Sequence, residues 1–266
     1  MDLTAVSGHA QRAQWRAWYS FLSWYTTRAG AEFQCMNWGY DDGRELVPPS
    51  APERLPLQLY RHLVEGTPLA GKVVVDVSCG RGGGLAHLAR ACVPAEAIGL
   101  DFAPGNVAIC RRMLGDGAPN LSFRVGDAEA IPLPAGSADV VLSVEASHCY
   151  GDVARFLDEA RRVLRPRGHL LWADFAPRAR LPLLDRLARQ RFAVLDAREI
   201  TEEVRRAIRL DRARRRAIIE RHSPRVLHRL FYRFAAADDR SATVRMFDRG
   251  DHCYFLRRLV RGEERP

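Results

Sequence analysis

The sequence predicts an α/β fold built on a parallel sheet, and three stretches carry that reading. The first is Val73 to Gly84, Val-Val-Val-Asp-Val-Ser-Cys-Gly-Arg-Gly-Gly-Gly, after which Leu85 to Arg90 continues at helical spacing. A β-branched run feeding a glycine-rich turn into a helix is the opening unit of a nucleotide-type site. The second stretch, Ala97-Ile-Gly-Leu-Asp101, is a short apolar strand ending in an acid, placed about 20 residues beyond the turn. The third is the recurrence of that pattern: Leu121 to Val125 leads to Asp127, and Ala138 to Val144 ends in Glu145-Ala-Ser-His-Cys-Tyr150.

Each piece has a chemical use. Gly80 and Gly82 lack the Cβ atoms that would hold a ligand off the backbone, and the helix that follows offers unpaired N–H groups to polar atoms. In folds of this kind the acid after the second strand meets ribose hydroxyls, which makes Asp101 the ribose ligand. The third strand brings Asp127 within reach of an adenine edge.

In order, Asp76-Val-Ser-Cys-Gly-Arg-Gly82, Gly99-Leu-Asp101, Gly126-Asp-Ala128 with Ile131-Pro-Leu-Pro134, and Val163-Leu-Arg-Pro-Arg-Gly168 resemble the motifs of class I S-adenosylmethionine (SAM) dependent methyltransferases. The resemblance covers roughly residues 70 to 177. It implies a Rossmann-like, seven-stranded sheet with helices on both faces, and SAM as cofactor, released as S-adenosylhomocysteine. It also implies cofactor-binding roles for Asp76, Ser78, Gly80, Gly82, Asp101, Phe102, Asp127, Ala128, Glu145 and Tyr40, with Tyr40 covering the methionine part. One departure is Ser78, where the family usually has glycine, so the first position of the turn is more crowded.

Glu145-Ala-Ser-His-Cys-Tyr150, Val77 to Gly84 and Met36-Asn-Trp-Gly-Tyr40 are similar to phthiotriolone and phenolphthiotriolone dimycocerosate methyltransferases and to enzymes that methylate hydroxyls of macrolide polyketides. The implied partner is a hydrophobic small molecule, held by Trp18, Tyr25, Trp38 and Tyr150.

Three regions follow: an N-terminal helical lid and linker over residues 1–69, a SAM-binding core over 70–177, and a substrate cap with sheet-completing strands over 178–266. Trp15, Trp18, Tyr19, Leu22 and Tyr25 fall on one face of a helix from about Gln11 to Tyr25. That stripe alone predicts docking onto the core, and the resemblance makes it a lid. Pro48, Pro49 and Pro52 interrupt regular structure before a helix from Leu57 to Val64. Later helices are expected over Asp152 to Leu164, Pro182 to Gln190, Thr201 to His222 and Val226 to Ala236, and strands over His169 to Phe175, Phe192 to Ala197 and Asp251 to Val260. The piece between the last two strands is too long for a hairpin loop and is read as the cap.

Transfer of a sulfonium methyl to an alcohol needs the nucleophile in line, water excluded and a base for the proton. His148, just past the fourth strand, is the candidate base, and Asp174, ending the fifth, is placed to hold its tautomer. Hydroxyl methyltransferases of indolocarbazole tailoring show a similar pair. Glu145 is assigned to fixing the loop. A Cys149 nucleophile is set aside because adjacent strand-end side chains diverge. Methyl transfer to carbon or nitrogen of a sterol, quinone or small amine stays open, as does a polyketide cyclase that keeps the fold as scaffold.

The net charge of +9 invites a nucleic-acid reading. Yet Lys72 is the single lysine among 41 basic residues, and Arg205 to Arg216 alternate with apolar helix positions, which predicts a solvated face and no nucleic-acid partner. Six scattered cysteines lack metal-ligand or disulfide spacing, so no metal is expected. No apolar run approaches a membrane span, and the polar start from Met1 to Arg12 does not read as a leader, which points to the cytoplasm. A homo-oligomer stays open.

Overall fold

The computed structural model describes residues 9–31, 33–115, 118–239 and 241–263. Met1 to Gly8, on which part of the leader reading rested, lie outside them. Among the described residues seven strands form one sheet: β1 (Val73–Val77), β2 (Glu96–Asp101), β3 (Leu121–Val125), β4 (Ala138–Val144), β5 (Leu164–Pro177), β6 (Ala193–Glu199) and β7 (His252–Val260). Their order is β3-β2-β1-β4-β5-β7-β6. The first five are parallel, and β7 runs antiparallel between β5 and β6.

The helices among the described residues are α1 (His9–Arg28), α2 (Arg54–Leu63), α3 (Gly83–Cys92), α4 (Pro104–Leu114), α5 (Val153–Val163), α6 (Leu181–Arg189), α7 (Thr201–Leu210), α8 (Arg212–His222), α9 (Arg225–Phe234) and α10 (Ala242–Asp248). Alternate strand residues sort into two cores, as the two-residue period of a strand requires. Val74, Val140, Leu142 and Leu171 meet α2, α3 and α7 through Leu59, Leu63, Leu88 and Val204. Val75, Val77, Val141, Leu170 and Trp172 meet α5 and α6 through Phe156, Leu157 and Leu184. This is the expected seven-stranded Rossmann-like sheet with helices on both faces.

Two elements differ from expectation. The arginine-rich stretch is two helices broken at Asp211, whose carboxylate pairs with Arg214 and Arg215 of the following turn. The break lets α7 bury Val204 and Ile208 against the sheet, while α8 turns elsewhere. Nor is the arginine face simply solvated: Arg206 pairs with Asp41, Arg212 with Asp239, Arg214 also with Glu53, and Arg215 is buried. The short α10 carries no strong pattern in sequence. It forms because Ser241 caps its first turn, accepting from the Val244 N–H, and because Met246 and Phe247 reach the core.

The glycine-rich turn is fastened to the N-terminal segment by Arg81, a fully buried guanidinium. It donates to the carbonyls of Ala31 and Phe33 and to the Thr26 hydroxyl, and lies over the Phe33 ring at 3.7 Å. Burial pulls its pKa down to about 10, still charged near neutrality. The helix after the turn also approaches α2 closely: a Cβ on Gly84 would lie 2.2 Å from the Tyr60 ring. Tyr60 cannot swing aside, because its hydroxyl donates to Asp76 across 3.0 Å in the core. Gly84→Ala should therefore overpack this contact by about 2 kcal/mol and lower Tm by about 4–8 °C in a thermal melt.

Candidate active site

A cavity of about 240 Å³ opens over the carboxyl ends of the central strands. Its floor is the set of residues that terminate them, where open α/β sheets bind ligands. Ser78, Cys79 and Gly80 follow β1, Asp101 and Phe102 end β2, Asp127 and Ala128 follow β3, and Glu145, His148 and Tyr150 follow β4. Trp15, Tyr19, Leu22 and Tyr25 of α1 face it, with Ile218 and Ile219 of α8 and Phe231 and Phe234 of α9.

The turn binds its own acid. Asp101 accepts from the Gly80 N–H at 2.9 Å through one oxygen, and from the Ala103 N–H and the Asn106 amide through the other. Burial pushes its carboxyl up to about 6, against the pull of those donors. Asp76 lies behind the cavity wall, fully buried, one oxygen accepting from Tyr60 and the other without a partner. Burial lifts it to about 8. A backbone turn open to the cavity and an acid at the β2 end form a donor and acceptor set that fits a nucleoside, with the orphaned Asp76 oxygen behind the turn.

Ser78 and Glu145 both adopt left-handed backbone, with φ of +61° and +51°. Such conformations cost of order 1–3 kcal/mol in non-glycine residues and cluster where ligands bind. The crowding expected at Ser78 is thus resolved by strain, and its hydroxyl accepts from Tyr150 at 3.2 Å. Glu145 fixes the loop as expected: one oxygen accepts from the Trp38 N–H at 2.9 Å and from the Tyr254 hydroxyl at 3.0 Å. Its burial raises its pKa to about 8.

His148 and Asp174 meet. The imidazole Nδ1 lies 2.8 Å from one carboxylate oxygen, and the other accepts from the His148 N–H and the Ser147 hydroxyl. Ser147 in turn accepts from the Trp172 indole, so the carboxylate is held from several sides. The ring is boxed by Phe175 at 4.3 Å and Trp15 at 5.7 Å between centroids. Burial opposes its charge, but the adjacent Cys149 sulfur and the Asp174 carboxylate outweigh that, and its pKa stands well above 6.5. With Nδ1 on Asp174, Nε2 is the ring nitrogen that this carboxylate does not engage. Cys149 shares the cavity wall with His148, contrary to the expected divergence, because the two sit in a 3-10 turn over Ser147–Cys149 and not on a strand. Burial pushes its thiol up, away from the reactive thiolate.

Several sequence-predicted residues lie elsewhere. Tyr40 stacks on His62 at 4.0 Å and does not line the cavity, whereas Met36 and Trp38 of the same segment do. Trp18 packs on Phe21 and Phe234 beside the cavity, whereas Trp15 and Tyr19 of the same stripe face it. Gly82 starts α3 at φ +76°, and a Cβ there would strike Phe123 at 2.5 Å, so its role is packing. Trp38, Tyr25 and Tyr150, assigned to the substrate from the sequence, line the cavity. Sequence reasoning missed Asn106, which the position just inside α4 could have signalled, and the α8 and α9 residues, which carry no local signal.

Residues 75–172 match a family described as a methyltransferase domain (Methyltransf_11). The phthiotriol/phenolphthiotriol dimycocerosates methyltransferase of Mycobacterium leprae is 37% identical over 230 residues, 84% of this chain and 82% of that protein. A fatty-acid O-methyltransferase of Mycolicibacterium smegmatis is 34% identical, covering 76% of this chain and 75% of that one. Among solved structures, the 4+2 cyclase SpnF has a TM-score of 0.73 at 20% identity, covering 98% of this chain and 99% of that one. A geranyl diphosphate methyltransferase in complex with SAM has a TM-score of 0.64 at 16% identity, covering 86% and 100%. At those identities the structures share the fold.

Asp101, which the sequence assigns to the ribose, accepts hydrogen bonds most strongly when ionised. Affinity for SAM, measured by calorimetry, should fall by up to about tenfold per pH unit below a pH of about 6, and Asp101→Asn should flatten that dependence.

Proposed function

Because the chain belongs to the class I SAM-dependent methyltransferases, we propose that it methylates a hydroxyl of a hydrophobic secondary metabolite of polyketide, macrolide or glycolipid type. The observation that carries this reading is the His148–Asp174 pair in the wall of a cavity otherwise lined mainly by aromatic and aliphatic side chains. The curated relatives, named for a dimycocerosate and a fatty acid, support a lipid-like acceptor.

SAM, when bound, supplies an electrophilic methyl group. Asp101 would hold its ribose, Asp127 and Ala128 its adenine edge, and the Ser78 to Gly80 turn its polar tail. The protein's own part is positioning and proton removal. Asp174 fixes Nδ1 as the protonated nitrogen, so Nε2 accepts the acceptor hydroxyl's proton as the new bond forms. Trp15 and Phe175 pack on the imidazole, Trp38 packs on Phe175, and together they exclude water there. We assign residues 1–69 as lid and 178–266 as cap, on the strength of α1, α8 and α9 facing the strand ends. The pairing of the α7 and α8 arginines with acids supports a small-molecule acceptor over nucleic acid.

Transfer of label from methyl-labelled SAM to hydroxylated polyketides and glycolipids, read by mass spectrometry, tests the reading. Label on oxygen is expected, and label on carbon, nitrogen or nothing overturns it. His148→Ala should lower kcat by on the order of 10²-fold with SAM affinity unchanged. A loss under about tenfold would indicate an acceptor that needs no base, such as a carboxylate.

The base acts in its neutral form, so kcat/KM should rise with pH through a value above 6.5. Asp174→Asn removes the charge that favours imidazolium. It should move that limb to lower pH while cutting the plateau rate, and an unmoved limb would dismiss the pairing.

A further inference from the structure

Outside the cavity, α1 and α9 lie side by side, joined by Trp18 on Phe234 at 5.1 Å and Tyr25 on Phe231 at 5.3 Å. Their outer flanks expose large apolar side chains: Trp24 at 58% and Phe21 at 39% on α1, Val226 at 85% and Leu230 at 47% on α9. Scattered apolar residues on a surface are ordinary, but four on two adjoining helices are not. Phe21 stacks on Tyr25 at 6.0 Å, and Tyr25 lines the cavity, so one aromatic ladder runs from this surface to the site.

The charge carried by the two helices has one sign, although Glu220 of α8 accepts from the Tyr232 hydroxyl of α9. Neither helix contains an aspartate or glutamate. Arg16 and Arg28 on α1, and Arg225, Arg229 and Arg233 on α9, are exposed, with the Arg28 guanidinium 5.1 Å over the Trp24 ring. Among the described residues no helix is long and apolar enough to cross a membrane. Tryptophan, phenylalanine and leucine flanked by arginine, with no acid, is the composition of a helix face that rests in the headgroup region of an anionic bilayer.

We propose that the outer face of α1 and α9 docks the protein on an anionic lipid surface, with Trp24, Phe21, Val226 and Leu230 entering the interface and the arginines meeting the headgroups. Charge complementarity selects this occupant. A second copy of the chain would bring two arginine-ringed faces together and repel itself. Docking there places the helices that face the cavity at the membrane, so an apolar molecule leaves the bilayer along Phe21 and Tyr25 without crossing water. The inference stands on this surface alone, whichever atom is methylated.

Flotation of the full chain with vesicles tests it, because binding is read without turnover. Association is expected with phosphatidylcholine vesicles containing phosphatidylglycerol, and should weaken on raising salt. Pure phosphatidylcholine should bind far less. Replacing Trp24 and Leu230 together by serine should weaken association at least about tenfold, and Arg28→Gln and Arg229→Gln by on the order of fivefold each. Melting temperature and SAM binding should stay at wild-type values. Failure to bind anionic vesicles at low salt overturns the proposal, as does unaltered binding by these variants. So would a wild-type dimer that the Trp24 and Leu230 replacements dissolve with no vesicle binding by either protein.

Discussion

The arrangement depends on one buried cation. Arg81 stands within the glycine-rich turn that floors the cofactor side of the cavity, yet its hydrogen bonds go to Thr26, Ala31 and Phe33, at and beyond the end of α1. A guanidinium this deep needs polar partners, and here two backbone carbonyls and a hydroxyl engage its two terminal nitrogens, while Nε has no partner among the described residues. The consequence is mechanical. The roof helix cannot leave the floor without stranding a buried charge, and the main chain from Gln34 to Trp38 is laid across the turn: the Gly83 N–H donates to the Gln34 carbonyl, and Glu53 receives the N–H groups of Gln34 and Cys35.

Strain marks the other side of the same edge. Ser78 and Glu145 end neighbouring parallel strands, and both hold left-handed backbone where glycine would be relaxed. Each uses its side chain in return. Ser78 receives the Tyr150 hydroxyl, which also meets Ser143, and Glu145 ties Trp38 and Tyr254. A glycine at either place would ease the turn and lose the tie, so local strain is exchanged for a fixed cavity wall.

Charge is distributed with the same economy. The buried acids Asp76, Asp101 and Glu145 all have raised pKa values, from burial, and they line or back the cavity. Groups displaced this way gather at functional sites because desolvation and neighbouring charge are what tune a group for binding or proton transfer. Asp174 is hydrogen-bonded through both oxygens, to the Ser147 hydroxyl, the His148 N–H and Nδ1 and the Phe175 N–H, and so orients His148. Elsewhere many arginines are drawn into pairs, as at Asp41, Asp185, Asp211 and Asp239, and neither α1 nor α9 contains an acid of its own.

By itself the sequence determined the sheet. Apolar strands, each leading to a chemically active residue, leave little freedom in topology, and Asp101, Asp127, Glu145 and His148 are placed by lying at the carboxyl end of a strand or within four residues beyond it. The pairing of His148 with Asp174 was legible for the same reason, since β4 and β5 are adjacent and parallel. Tertiary structure alone decided which aromatic residues matter. A helical stripe identifies a buried face but not its neighbour, so Trp15 and Tyr19 rather than Trp18 reach the cavity. Tyr40 is turned to His62 by a loop whose path depends on Leu55 and Glu145. The break at Asp211 and the seating of α8 and α9 over the strand ends rest on ion pairs and ring contacts between residues far apart in the chain, and no local pattern encodes such contacts.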